Sequence, residues 1–188
     1  MRTRSGILAA LSVLLLAGCG DHNLVLRVDV LSYVDPVMRS AWFGPIPPAP
    51  GGLATGEQAL VDDETINLVE GMSGVAEVQS VELTLGVIVR DSTGAGVDTL
   101  RLYASDEDTH PLETAPVLQQ VVQLEPGVTD TVSVTVAGDR RLAELFVQRM
   151  MRISVSSSGR GPESGEALNG SVELNVLEAV VIAGRKAP

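Results

Sequence analysis

The stretch "VELTLGVIVR", residues 81–90, sets Val81, Leu83, Leu85, Val87 and Val89 at every second position, with Glu82, Thr84 and Arg90 falling on the other phase. Successive side chains of an extended chain point to opposite faces, so this spacing gathers five aliphatic groups on one side. A helix would scatter the same groups around its axis, because its period is 3.6 residues. The stretch therefore predicts a strand with one face against a core. The same pattern recurs on either side. Leu24, Leu26, Val28 and Val30 oppose Arg27 and Asp29; Leu100 and Leu102 are separated by Arg101 and preceded by Thr99; Val132, Val134 and Val136 alternate with Ser133 and Thr135. Residues 59–69, 117–124, 152–156 and 171–182 are further strand candidates, giving about eight strands.

The connectors carry turn chemistry. "DSTGAGVD" (91–98) offers two glycines for positive φ, and "EPG" (125–127) sets Pro before Gly, as a type II turn prefers, so each is expected to close a hairpin. The stretch 156–170, "SSSGRGPESGEALNG", reads as a longer solvated crossing between sheet edges. One helix is expected where Asp139 caps a run with Leu142, Leu145, Phe146 and Arg149 at helical spacing over about three turns. A shorter helical turn is expected within 70–78. Between Pro36 and Gly52 lie five prolines with Trp42 and Phe43, which predicts an extended Pro-rich loop and not an interior strand. The fold expected is all-β: an antiparallel β-sandwich, immunoglobulin-like or jelly-roll-like, with one short helix closing an end. Residues 24–188 make one domain, with no internal repeat.

The amino-terminal segment has a different character. Arg2 and Arg4 precede an apolar run from Ile7 to Leu16, followed by the small residues Ala17 and Gly18. That layout is a secretory signal, and the run is well short of the roughly 20 residues a membrane-spanning helix needs. Leu16-Ala17-Gly18-Cys19 resembles the lipobox of bacterial lipoproteins. The resemblance covers about the first 19 residues. It implies cleavage of residues 1–18, diacylglycerol attached through a thioether to Cys19, and acylation of the new amino terminus, with palmitate as a typical chain. Cys19 is the one cysteine of the chain, so none remains for a disulfide and the domain must rest on its core. Residues 19–23, including His22, form the lipidated cysteine and a short tether. If the first strand starts at Leu24, Gly20 to Asn23 span at most about 14 Å, which holds the domain close to the lipid. Gly20 stands where an inner-membrane retention signal in enteric bacteria has aspartate, which directs the expectation to the outer membrane, on its periplasmic or surface face.

Charge narrows the partners. Loss of Arg2 and Arg4 takes the formal charge from −11 to −13. That excludes the clustered basic residues on which nucleic-acid binding depends, and leaves the acyl chains as the source of membrane affinity. Five aromatic residues in 188 supply no extended stacking platform. Trp42 and Phe43 are expected to cover one end of the core; the alternative makes them the candidate interface, with lipid headgroups or with another envelope protein.

Motifs for catalysis are absent: no G-x-S-x-G elbow accompanies His110, and no phosphate-binding glycine loop, H-E-x-x-H or C-x-x-C occurs. Two acidic runs stand out, 62–64 and 106–110. In an extended segment Asp106, Asp108 and His110 would project together as candidate Ca²⁺ ligands, although Pro111 sits where an EF-hand loop needs glycine. Solvation of an exposed loop is the simpler expectation. No cofactor and no catalytic residue are expected. The function expected is a lipid-anchored envelope protein acting as a non-enzymatic binding or structural module. The alternative is a carrier of an apolar ligand in a cavity between the sheets; a hydrolase is a more remote third.

Overall fold

The computed structural model describes residues 23–67, 75–148 and 150–185. Nine strands and one helix follow in order: β1 (Asn23–Asp29), β2 (Ser40–Ile46), β3 (Gln58–Asn67), β4 (Val75–Thr93), β5 (Gly96–Ser105), β6 (Leu118–Leu124), β7 (Thr129–Ala137), α1 (Arg140–Phe146), β8 (Met150–Arg160) and β9 (Leu168–Arg185). One sheet has the order β1-β9-β4-β7, with β2 also paired to β9; the other has the order β3-β8-β5-β6. Every pairing is antiparallel.

The order has a simple logic. β1 and β2 pair with β9, β3 with β8, β4 with β7 and β5 with β6, so the first half of the chain pairs with the second in reverse. The chain is one long antiparallel hairpin, with its tip between β5 and β6, wound into two facing sheets. That is a jelly roll, one of the two sandwich types the sequence allowed.

Alternation drives the packing. Val81, Leu83, Leu85, Val87 and Val89 of β4 are all buried, facing Leu100 and Leu102 of β5 and Ile153 and Val155 of β8 from the opposite sheet. β7 lies at a sheet edge, so its inward residues Val132, Val134 and Val136 are only partly covered. The helix closes the end of the sandwich near the start of β1. Asp139 accepts hydrogen bonds from the N–H groups of Arg141 and Leu142, and Leu142, Leu145 and Phe146 turn into the core. It runs two turns and not three; Arg149 lies outside the described residues.

Several expectations change. Strand β2 occupies seven residues, Ser40–Ile46, inside the expected Pro-rich loop 36–52. It pairs on one side only, and its register shifts between Phe43 and Ile46, so Pro45 removes no ladder bond that a neighbour needs. Pro47, Pro48 and Pro50 lie beyond its end. The glycine turn after β4 and the Pro-Gly turn after β6 close no hairpins. Each carries the chain from one sheet to the other, as Gly94 and Gly127 take φ of +74° and +75°. β8 extends to Arg160 with Ser156 and Ser157 buried, so the solvated crossing shrinks to residues 161–167. Of the expected helical turn at 70–78, residues 75–78 are strand and the rest lies outside the described residues. Cys19 and its flanking box also lie outside them.

Candidate functional site

Between β1 and β2 the chain leaves the sheet edge for two single 3-10 turns, Val30–Tyr33 and Pro36–Arg39. Val30 and Val34 anchor this excursion in the core. Arg39 ties it together: its Nη2 donates to the carbonyls of Leu31 at 3.0 Å and Val34 at 2.8 Å. Asp35 caps the second turn by accepting from Val37 N–H at 2.9 Å. The excursion thus becomes a fixed wall beside the outer face of the first sheet.

β2 continues from that wall and separates the two aromatic residues. Phe43 points inward, 5 % exposed, with its ring over Gly170, its partner on β9. A Cβ at Gly170 would fall on that ring and on the Arg90 carbonyl, which is why the position is glycine. Trp42 points outward and is 73 % exposed. The register sets Trp42, Ser171 and Arg90 in one row across β2, β9 and β4, with Ser40, Glu173 and Ile88 in the next row. Arg90 Nη1 donates to Glu173 Oε2 at 2.7 Å. Together the indole, the excursion and this ion pair enclose a groove of about 650 Å³, reached also by Asn175. That lies within the few hundred to about 1,000 Å³ typical of small-ligand sites.

The candidate interface of Trp42 and Phe43 therefore reduces to Trp42 on the surface. Trp42 lies well away along the sheet from the start of β1. Asn23, at the start of β1, pairs with Gly184, whereas Trp42 pairs with Ser171. The intervening length of β9, at about 3.3 Å per residue, is roughly 40 Å.

The acidic loop behaves differently from its extended reading. Residues 107–109 turn, so the alternation of Asp106, Asp108 and His110 no longer projects them together. His110 Nδ1 accepts from Leu112 N–H at 3.3 Å, capping the turn Pro111–Glu113, and its Nε2 lies 3.8 Å from Asp62. Among the described residues no group of three or more His, Cys, Asp or Glu side chains is placed to hold a metal ion. In the other acidic run, Asp63 is paired to both Arg152 Nε and Nη2. This hydrogen-bonded guanidinium holds the Asp63 carboxyl below its ordinary value.

Other polar groups escaped the sequence reading. Glu57 accepts from Tyr103 Oη at 2.6 Å and from Ser156 Oγ, with Arg101 Nη1 3.7 Å away. Burial alone would raise its carboxyl, but those hydrogen bonds and the arginine outweigh it and hold it below its usual value. Asp98, on the inner face of β5, is fully buried; it accepts from Ser157 Oγ at 2.8 and 3.0 Å. Burial raises its carboxyl against the bonds from Ser157 and the N–H groups of Thr99 and Ser158. Asp91, at the inward end of β4, is also buried and raised by burial. Among the described residues neither of its oxygens has a hydrogen-bond partner that meets full geometry, and the nearby Thr93 N–H offsets the burial only in part.

No family model matches the chain, and no curated protein matches it. Solved structures of infectious bursal disease virus are similar in backbone course. That of the Gx strain aligns at 12 % identity and TM-score 0.45 over 98 % of this chain and 39 % of that chain. The T=1 particles derived from the virus align at 12 % and 0.40, covering 98 % and 41 %; the Gt strain aligns at 14 % and 0.40, covering 98 % and 43 %. The chain spans about two fifths of those chains, and the jelly-roll assignment rests on its own strand order.

Proposed function

We propose that this protein is a lipid-anchored bacterial envelope protein, without enzymatic activity, that holds a binding groove away from the membrane. The observation that carries the reading is the box Leu16-Ala17-Gly18-Cys19, in register behind a charged start and a ten-residue apolar run. The fold supports it in two ways. β1 begins at Asn23, so three residues separate the sandwich from the lipidated cysteine. The groove lies roughly 40 Å along β9 from that point, out of reach of the headgroups. No helix among the described residues is long and apolar enough to cross a membrane; this reading takes acylation at Cys19 as the anchor. The outer membrane is the favoured site, because Gly20 follows the cysteine.

An apolar carrier is the weaker reading. Leu85, Val87, Leu102, Ile153 and Leu174 from both sheets fill the middle of the sandwich at 2 % exposure or less, and the Trp42 groove is lined by serine, asparagine and an ion pair as well as the indole. Metabolic labelling with an alkynyl palmitate, followed by membrane fractionation, tests the anchor. The wild-type chain is expected to take up label and sediment with outer membrane; Cys19→Ala is expected to be unlabelled and soluble. A C19A chain that still sediments with membrane overturns the reading.

A further inference from the structure

Burying an indole releases several kcal/mol of transfer free energy, so a tryptophan 73 % exposed at the centre of a groove is a large unused binding surface. Its surroundings select what could cover it. Ser40 and Ser171 keep the floor beside the ring low, and the opposite side presents Arg90, Glu173 and Asn175. These are flat, forked side chains that take hydrogen bonds in pairs. The Arg90–Glu173 bond holds two of them in fixed positions while leaving further N–H donors and carboxylate lone pairs unused. An apolar ligand would leave those polar groups unpaired, at a cost. An anionic ligand would meet Glu173 and a chain of formal charge −11. What fits is a neutral molecule with one apolar face and a rim of vicinal hydroxyls.

We propose that the Trp42 groove is a saccharide-binding site, in which one pyranose ring stacks on the indole while its hydroxyls bond to Arg90, Glu173 and Asn175. This deepens the proposed function and rests on it for the direction the groove faces, but binding itself does not depend on the lipid anchor. The volume of about 650 Å³ accommodates two to three sugar units, so an oligosaccharide is the ligand class. A single aromatic platform implies a weak, readily reversed interaction with the end or a short stretch of a glycan.

Trp42 is the one tryptophan of the chain, so its emission reports on this groove alone. The test uses the whole acylated chain in a detergent without a sugar headgroup, titrated with chitotetraose, cellotetraose and maltotetraose. At least one is expected to shift Trp42 emission saturably, with Asn175→Ala and Arg90→Ala each weakening binding about tenfold, or about 1.4 kcal/mol. Trp42→Ala, followed by calorimetry, is expected to abolish the heat of binding while its thermal melt stays at the wild-type position. No shift with any of the three up to millimolar concentration overturns the proposal, as does a shift that R90A and N175A leave unchanged. A groove that crosslinks to a neighbouring protein in the envelope, with no response to sugars, also overturns it while leaving the anchored binding module intact. A C19A chain that still sediments with membrane and still binds sugar has the reverse meaning: the anchor is wrong and the site stands.

Discussion

Asp91 and Asp98 flank the turn at residues 92–97 and both face the interior, where charge is costly. Their glycine-containing neighbourhood reads as a solvated turn in the sequence, and nothing local distinguishes a carboxyl at a sheet corner from one in water. Burial raises both carboxyls above their ordinary value, and that direction makes a signed prediction. A carboxyl whose folded value lies above its unfolded one stabilises the fold while protonated, and that contribution is lost as pH rises from the unfolded value, about 4, through the folded one. Asp91→Asn, which cannot ionise, is therefore expected to melt above wild type at pH 8 and to lose that advantage by pH 4, as followed by circular dichroism. Equal differences at both pH values would show that folding leaves the Asp91 carboxyl at its unfolded value. Asp63 carries the opposite sign, since hydrogen bonding to Arg152 holds its carboxyl below the ordinary value and favours the charged form. Arg152→Gln is expected to destabilise at pH 7, with the deficit shrinking as pH falls below about 4 and both chains protonate Asp63.

At the scale of elements, the alternating stretches were legible because a period of two has one structural meaning. Val81 to Val89 and Val132 to Val136 became strands with the expected faces inward. The cap at Asp139 was legible for a similar reason: a short acceptor before an apolar helical stripe has a defined task. Asp139→Ala is expected to cost about 1 kcal/mol, measurable as a lower urea midpoint. β2 was not legible. Its prolines argue against pairing, and only the empty edge beside β9, a property of the whole sheet, lets Ser40–Ile46 add on. The alternation that sends Phe43 inward and Trp42 outward follows from that pairing. Gly170→Ala should then destabilise by about 1–3 kcal/mol, because its methyl competes with the Phe43 ring for the same space. An unchanged melt would mean that Phe43 does not pack there.

For the molecule as a whole, eight of the nine strands were readable and their order was not. Short glycine turns between strands suggest hairpins, but a two-sheet wrap uses the same turns to change sheets, and the choice is made by the core that both sheets share. The consequence for function is polarity. The start of β1, the helix α1 and the acidic loop 106–110 gather toward one end of the sandwich, while β2 and the Trp42 groove lie toward the other. Under the proposed anchoring at Cys19, carboxylates at this end oppose close docking on anionic lipid and leave acyl chains as the source of attachment. The most direct measurement of this arrangement is Trp42 fluorescence from the acylated chain in vesicles containing brominated phospholipid. An indole roughly 40 Å from the tether is expected to show the same emission as in vesicles without bromine; strong quenching that deepens as bromine moves toward the headgroup would place Trp42 in the lipid and contradict the account.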